Sequence, residues 1–153
     1  MPKKETIKQQ LYALCNNLIN ERIAVYQAAI ESANTAINED SKSSAGDKYE
    51  TSREMITQGI KNNSTHLAEA IKQKQLLSQI NPTKQTDTIQ TGSLVFTNHA
   101  SFFISVSAGT LQVGNQSYLC ISPSSPLWRK FIDKKKGDEV VFNGKKYAIE
   151  RTE

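Results

Sequence analysis

Two cysteines in a chain of 153 residues are too few to staple a fold, and Cys15 and Cys120 read as reduced, partly buried thiols, not as a redox pair. No stretch approaches the roughly 18 to 20 apolar residues that a membrane span requires. The opening MPKKETIKQQ carries charge with no apolar core or cleavage site behind it, so no leader is expected and the cytoplasm is the expected compartment. A Gly-rich phosphate loop, a Cys/His metal cluster and a Ser/His/Asp arrangement are all missing. Their absence argues against independent enzymatic activity. His66 and His99 stand alone, without ligand-like neighbours, and read as surface or interface residues.

What the chain does have is two kinds of periodicity. From Ile7 to Ile37 neither Pro nor Gly occurs, and apolar residues recur every three or four positions: Ile7, Leu11, Leu14, Leu18, Ile19, Ile23, Tyr26, Ile30, Ala33 and Ile37. That spacing predicts one long amphipathic helix. A second stripe, Tyr49, Ile56, Ile60, Leu67, Ile71 and Leu77, is interrupted by Gly59, Asn63 and Lys74 and stops at Asn81-Pro82. Helices of this length, near 45 to 50 Å at about 1.5 Å per residue, need a partner for their stripes. An antiparallel coiled-coil hairpin over residues 1 to 80 is expected, with an acidic polar tip near residues 39 to 50, remote from the rest of an elongated molecule.

Residues 81 to 88, NPTKQTDT, have a linker's composition. Beyond them the period drops to two, in SLVFTN, SFFISVSAG, QSYLCIS, DEVVFNG and KKYAIER, which predicts a small β-sheet domain over residues 89 to 153. SSPLWRKFID, residues 124 to 133, breaks that alternation: Ser before Pro, then Leu127, Phe131 and Ile132, predicts one short helix. The fold class is therefore α+β.

The net charge of +4 is uneven, because residues 1 to 80 hold ten Lys or Arg against nine acids and residues 81 to 153 hold nine against six. Most of the excess lies between Arg129 and Lys146, which suits an acidic protein surface or nucleic acid, or serves solubility alone. The run Lys134, Lys135, Lys136 reads as a solvated turn, with a partner contact as the alternative. Trp128 is either core or, with Arg129 beside it, an interface anchor; the pairing with arginine favours the anchor.

In the stretch SSAGDKYETSRE, residues 43 to 54, Asp47 and Glu50 stand three apart, with Glu54 following. Two carboxylates at that spacing can share a hard cation such as Mg²⁺, but only if another molecule supplies further ligands. The same residues also match a capping box, with Asp47 as N-cap and Glu50 bonding back to it. Both readings can hold together. Tyr49 between them reads as the start of the apolar stripe, with stacking on a nucleotide as the alternative.

ISPSSPLWRKFIDKKKGDEVVF, residues 121 to 142, resembles the C-terminal signature of the Gre transcript-cleavage factors (GreA and GreB), through Ser125, Pro126, Leu127, Lys134, Gly137 and Asp138. TGSLVF, with Gly92, Ser93 and Val95, is similar to that family's opening strand, and Gly46, Asp47 and Glu50 reproduce its tip motif G-D-x-x-E. The resemblance implies an antiparallel coiled-coil hairpin followed by a domain similar to the FK506-binding-protein fold, a curved antiparallel sheet with a short helix against it. It also implies a partner, bacterial RNA polymerase, and a monomeric mode of action. The C-terminal domain would dock on the rim of the polymerase's secondary channel through Ser125, Pro126, Leu127, Trp128 and Arg129. The hairpin would then bring Asp47 and Glu50 to the active centre, where they share Mg²⁺ with the polymerase and promote cleavage at the 3′ end of backtracked nascent RNA.

The tip departs from the family in two respects, the first being a longer, serine-rich loop before Asp47. After Glu50 it reads TSREM where the family has N-A-E-Y, and this form resembles a divergent branch associated with Bacteroidetes. A secondary-channel regulator or inhibitor without cleavage activity is the alternative that departure raises. A prolyl isomerase or chaperone, suggested only by analogy to the implied C-terminal fold, is a third.

Overall fold

The computed structural model describes residues 5–40 and 46–153; of residue 40 and residues 46–49 only the backbone is described. Two long helices come first, α1 (Ile7–Asp40) and α2 (Gly46–Ser78). A strand-rich region follows, built from β1 (Leu94–Thr97), β2 (Ser101–Ile104), β3 (Gly109–Val113), β4 (Gln116–Ile121), a short helix α3 (Pro126–Phe131), β5 (Glu139–Phe142) and β6 (Lys145–Thr152). The architecture is thus α+β, a long helical hairpin preceding a small β domain with one short helix. Among the described residues no helix is long and apolar enough to cross a membrane.

The chain packs into two units. One comprises Ile19–Lys74; the other takes in the chain up to Leu18 together with Gln75–Glu153. In the first, α1 and α2 run antiparallel, as shown by Arg22 donating from Nη1 to Gln73 Oε1 at 3.3 Å and by the stacked rings of Tyr26 and His66, 5.4 Å apart. Ala70 is the inward residue of α2 here, while its neighbour Ile71 is 40% exposed.

In the second unit the six strands form one sheet in the order β3-β4-β2-β1-β6-β5. The expected antiparallel pairing holds for every pair but one, for β2 and β4 run parallel, with Phe103 opposite Cys120. The exception follows from the chain's path, because β3 lies outside β4 and pairs with it in an antiparallel hairpin. The chain therefore returns along β4 in the direction in which it left β2. On one face Val95, Phe102, Ile104, Trp128, Phe131 and Val140 form the core under α3. Phe131 lies 5.3 Å from Phe102 and 6.0 Å from Tyr147, ring to ring, within the range in which tilted and edge-on aromatic pairs attract.

Alternation along the strands turns Phe103, Ser105 and Cys120 to the other face. Cys15 of α1 meets that face, 3.8 Å from both Cys120 Sγ and Ser105 Oγ. Lys8 is also buried, and its ammonium donates to the carbonyl oxygens of Lys84 at 2.6 Å and Glu153 at 2.9 Å. The segment 81 to 88, expected as a linker, is packed into this unit: Thr86 is buried, its hydroxyl 2.6 Å from that of Ser93, and Thr152 donates to the carbonyls of Thr86 and Asp87. The division of the chain accordingly falls inside both long helices and not at residues 81 to 88.

Candidate functional site

Because α2 begins at Gly46, Asp47 and Glu50 occupy positions three apart in its first turn, the spacing that places two residues on one face. Asp47 is thus already helical, further in than the N-cap position that a capping box would give it. The side chain of Asp47, that of Tyr49, and residues 41 to 45 of the expected tip lie outside the described residues. Glu50 is exposed, and Glu54 lies one turn further along. Glu50, Arg53, Glu54, Met55, Thr57 and Gln58 line an open hollow of about 680 Å³. Met55 is 71% exposed there, an unusual setting for a long apolar side chain.

Among the described residues no group of three or more His, Cys, Asp or Glu side chains is placed to hold a metal ion. Two carboxylates, the most that Asp47 and Glu50 can offer, suit a hard cation that keeps most of its ligands from elsewhere.

The expected docking residues divide in two. Ser125 has an extended backbone ahead of the helix, Pro126 takes the first helical position, and Pro126 and Arg129 are exposed. Leu127 and Trp128, by contrast, are 7% and 8% exposed and belong to the core, so neither can act as a surface anchor. The reason lies in helical geometry: in a helix of six residues that lies against a sheet, Leu127, Trp128 and Phe131 share the inward face, while Arg129 and Lys130 turn outward. Arg129, Lys130, Lys134, Lys135, Lys136, Lys145 and Lys146 are all exposed in this unit. Its surface here is basic.

The motif residues themselves are largely structural. Gly137 sits in the turn before β5 at φ +94°, where Asp138 accepts a hydrogen bond from the Lys135 N–H through its carboxylate at 3.0 Å and donates its own N–H to the Lys135 carbonyl. Ser93 is fully buried and accepts from the Gln90 N–H at 2.9 Å. Gly92, at φ +95°, leaves room for Ile80, whose Cγ2 would lie 3.1 Å from an added Cβ.

No protein-family model and no curated protein matches this sequence. A solved structure, that of the transcription factor Gfh1, is similar over 88% of this chain and 92% of its own, at 14% identity and a TM-score of 0.35. At that level of overlap the likeness assigns neither activity nor partner.

Two buried features escaped the reading of the sequence. Cys15 and Cys120, expected as partly buried thiols and not as a redox pair, adjoin one another; the spacing of four that joins Leu11, Cys15 and Ile19, all fully buried, is the signal that places Cys15 inward. Lys8 carried no such signal. Burial pushes its ammonium below the usual lysine range, Glu153 opposes that shift, and Lys84 adds to it.

Proposed function

We propose that this chain is an RNA polymerase-binding elongation factor of the Gre type, which enters the secondary channel and stimulates the polymerase's own cleavage of backtracked RNA. The observation that carries this reading is the placement of Asp47 and Glu50 three apart in the first turn of α2, at the turn of the hairpin, with Glu50 exposed. Acids in a first turn suit the helix dipole, and an exposed Glu50 can serve a partner as well. The outward residues around α3, Pro126 and Arg129 with Lys130, would provide a basic docking surface for an acidic rim. Leu127 and Trp128 would hold α3 in place from beneath.

In this reading Asp47 and Glu50 would hold Mg²⁺ jointly with the polymerase, and the ion, when bound, would activate water and stabilise the charge that develops at the phosphodiester. This chain's contribution is to position two negative oxygens and to leave the remaining ligand positions open.

A second reading, channel occupancy without cleavage, is favoured by Arg53. It lines the same hollow as Glu50 and brings positive charge three residues, about one turn, from that acid, where it would compete with a cation. Both readings are tested by adding the protein to a stalled, backtracked elongation complex. Stimulated cleavage shortens the RNA from its 3′ end, and Asp47→Ala with Glu50→Ala abolishes this while binding persists. Altered RNA synthesis without shortened transcripts would establish the second reading instead, and unchanged cleavage by the double variant would remove the acids from the mechanism.

A further inference from the structure

Cys15 and Cys120 are separated by 104 intervening residues, yet their sulfur atoms lie 3.8 Å apart. They are the only cysteines of the chain, and each is at most 3% exposed. Cys120 faces Gly109 across the β3–β4 pair, so no side chain from that neighbour crowds it, and Phe103 is its register partner on β2. The third polar group at the site is the buried hydroxyl of Ser105, 3.8 Å from Cys15. A disulfide needs its sulfurs about 2.05 Å apart. At 3.8 Å the two sulfurs are in van der Waals contact, and each unbranched side chain can turn about its Cα–Cβ bond.

We infer that Cys15 and Cys120 form an oxidation-responsive latch, which a small two-electron oxidant of the peroxide class closes into a disulfide that ties α1 to β4. In the net step two S–H bonds and the peroxide O–O bond break and one S–S bond forms. Each sulfur loses one electron, the peroxide takes up two, and both thiol protons leave in two molecules of water. A dithiol reductant reopens the bond by thiol–disulfide exchange.

Three observations shape how the latch responds. Burial keeps protein-sized disulfides away from the pair, so a small neutral peroxide is the oxidant that fits. The hydrogen bond with Cys15, together with burial, pushes the Cys120 thiol well above its ordinary range; since the thiolate is the reactive form, the pair closes under sustained oxidant and not under traces. Closure would join covalently what packing and hydrogen bonds join in the dithiol form, the N-terminal part of α1 and the face of the sheet formed by Phe103, Ser105 and Cys120. The inference does not depend on the proposed function.

The experiment treats the full chain with a large, sustained excess of hydrogen peroxide, follows intact mass, and maps peptides without reduction. The expected product is a monomer lighter by two hydrogen atoms, with a Cys15–Cys120 linked peptide, a midpoint of thermal unfolding raised by roughly 4–16 °C, and full reversal by dithiothreitol. Cys15→Ser and Cys120→Ser each lose the linked peptide and the thermal shift. Oxygen addition at a single cysteine, a disulfide-linked dimer, or two intact thiols after the peroxide is consumed would each overturn the latch. Because peptide mapping of the wild-type chain decides among these, the outcome does not hinge on whether the serine variants fold.

Discussion

Replacing Trp128 by alanine removes a side chain that keeps only 8% of its surface in water. An aromatic of this class buries roughly 150–250 Å², which at about 25 cal/mol per Å² is worth roughly 4–6 kcal/mol. Truncations of buried Phe and Trp cost about 3–5 kcal/mol, so about 4 kcal/mol is a reasonable expectation. Against a total stability of about 5–15 kcal/mol, that loss leaves the variant folded but marginal. With a urea dependence of about 2 kcal/mol per molar, the unfolding midpoint should fall by about 2 M. The assay is urea unfolding followed by far-ultraviolet circular dichroism, with Trp128→Phe as the companion that keeps most of the buried area and most of the midpoint. In the wild-type chain Trp128 is the single tryptophan, so its emission reports the same transition from within the core. If Trp128→Ala left the midpoint unchanged while abolishing polymerase binding, the residue would be a surface anchor and its placement beneath α3 would be refuted.

Two further expectations rest on the same unit. Gly92→Ala puts a Cβ 3.1 Å from Ile80 at φ +95°, whereas Gly137→Ala, at φ +94°, meets nothing within 4 Å. Both should pay about 1–2 kcal/mol for the left-handed backbone, and Gly92→Ala should lower the thermal midpoint further than Gly137→Ala; equal shifts would deny the packing against Ile80. Alkaline pH should weaken the fold through Cys120. The folded state holds that proton well past its ordinary 9.0 and the unfolded chain releases it there, so the contribution is whole below pH 9.0 and is lost as pH rises above it. The slope from this group is about 1.4 kcal/mol per pH unit. Tyr118, raised from its ordinary 10.0 chiefly by burial, acts in the same direction at higher pH, and Lys8, lowered from 10.5 by burial, acts in the opposite one. The urea midpoint of Cys120→Ala should therefore fall less between pH 9.0 and 10.0 than that of wild type, and identical slopes would remove Cys120 from the account.

The helical hairpin was legible because a three-and-four spacing, unbroken by Pro or Gly in α1 and interrupted but resumed in α2, leaves a chain little alternative, and the strands were legible from their period of two. Which residues of a stripe face inward was less so. Leu14, read into the stripe, is 38% exposed, while Cys15 beside it is fully buried, since a spacing of four from Leu11 to Cys15 to Ile19 is equally helical and a thiol packs as a small hydrophobe. The parallel pairing of β2 with β4 was not legible, because strand order depends on contacts between distant segments that local alternation does not encode. Trp128 was misjudged for a related reason: its neighbour Arg129 suggested an interface, but adjacent positions on a helix point about 100° apart and one can be core while the other is surface. At the acidic turn, residue type and spacing marked Asp47 and Glu50. Under the proposed function the remaining ligands of a shared ion would come from another molecule, and no pattern within this chain specifies them.

The ammonium of Lys8 has a consequence for how the protein is made. Its two acceptors, the carbonyls of Lys84 and Glu153, lie 76 and 145 positions away. A nascent chain emerging from the ribosome can form its helices early, but this cationic clasp must wait until residue 153 has been synthesised. Until then a lysine destined for the interior remains in water, and closure of the sheet unit becomes a late, long-range event in biosynthesis.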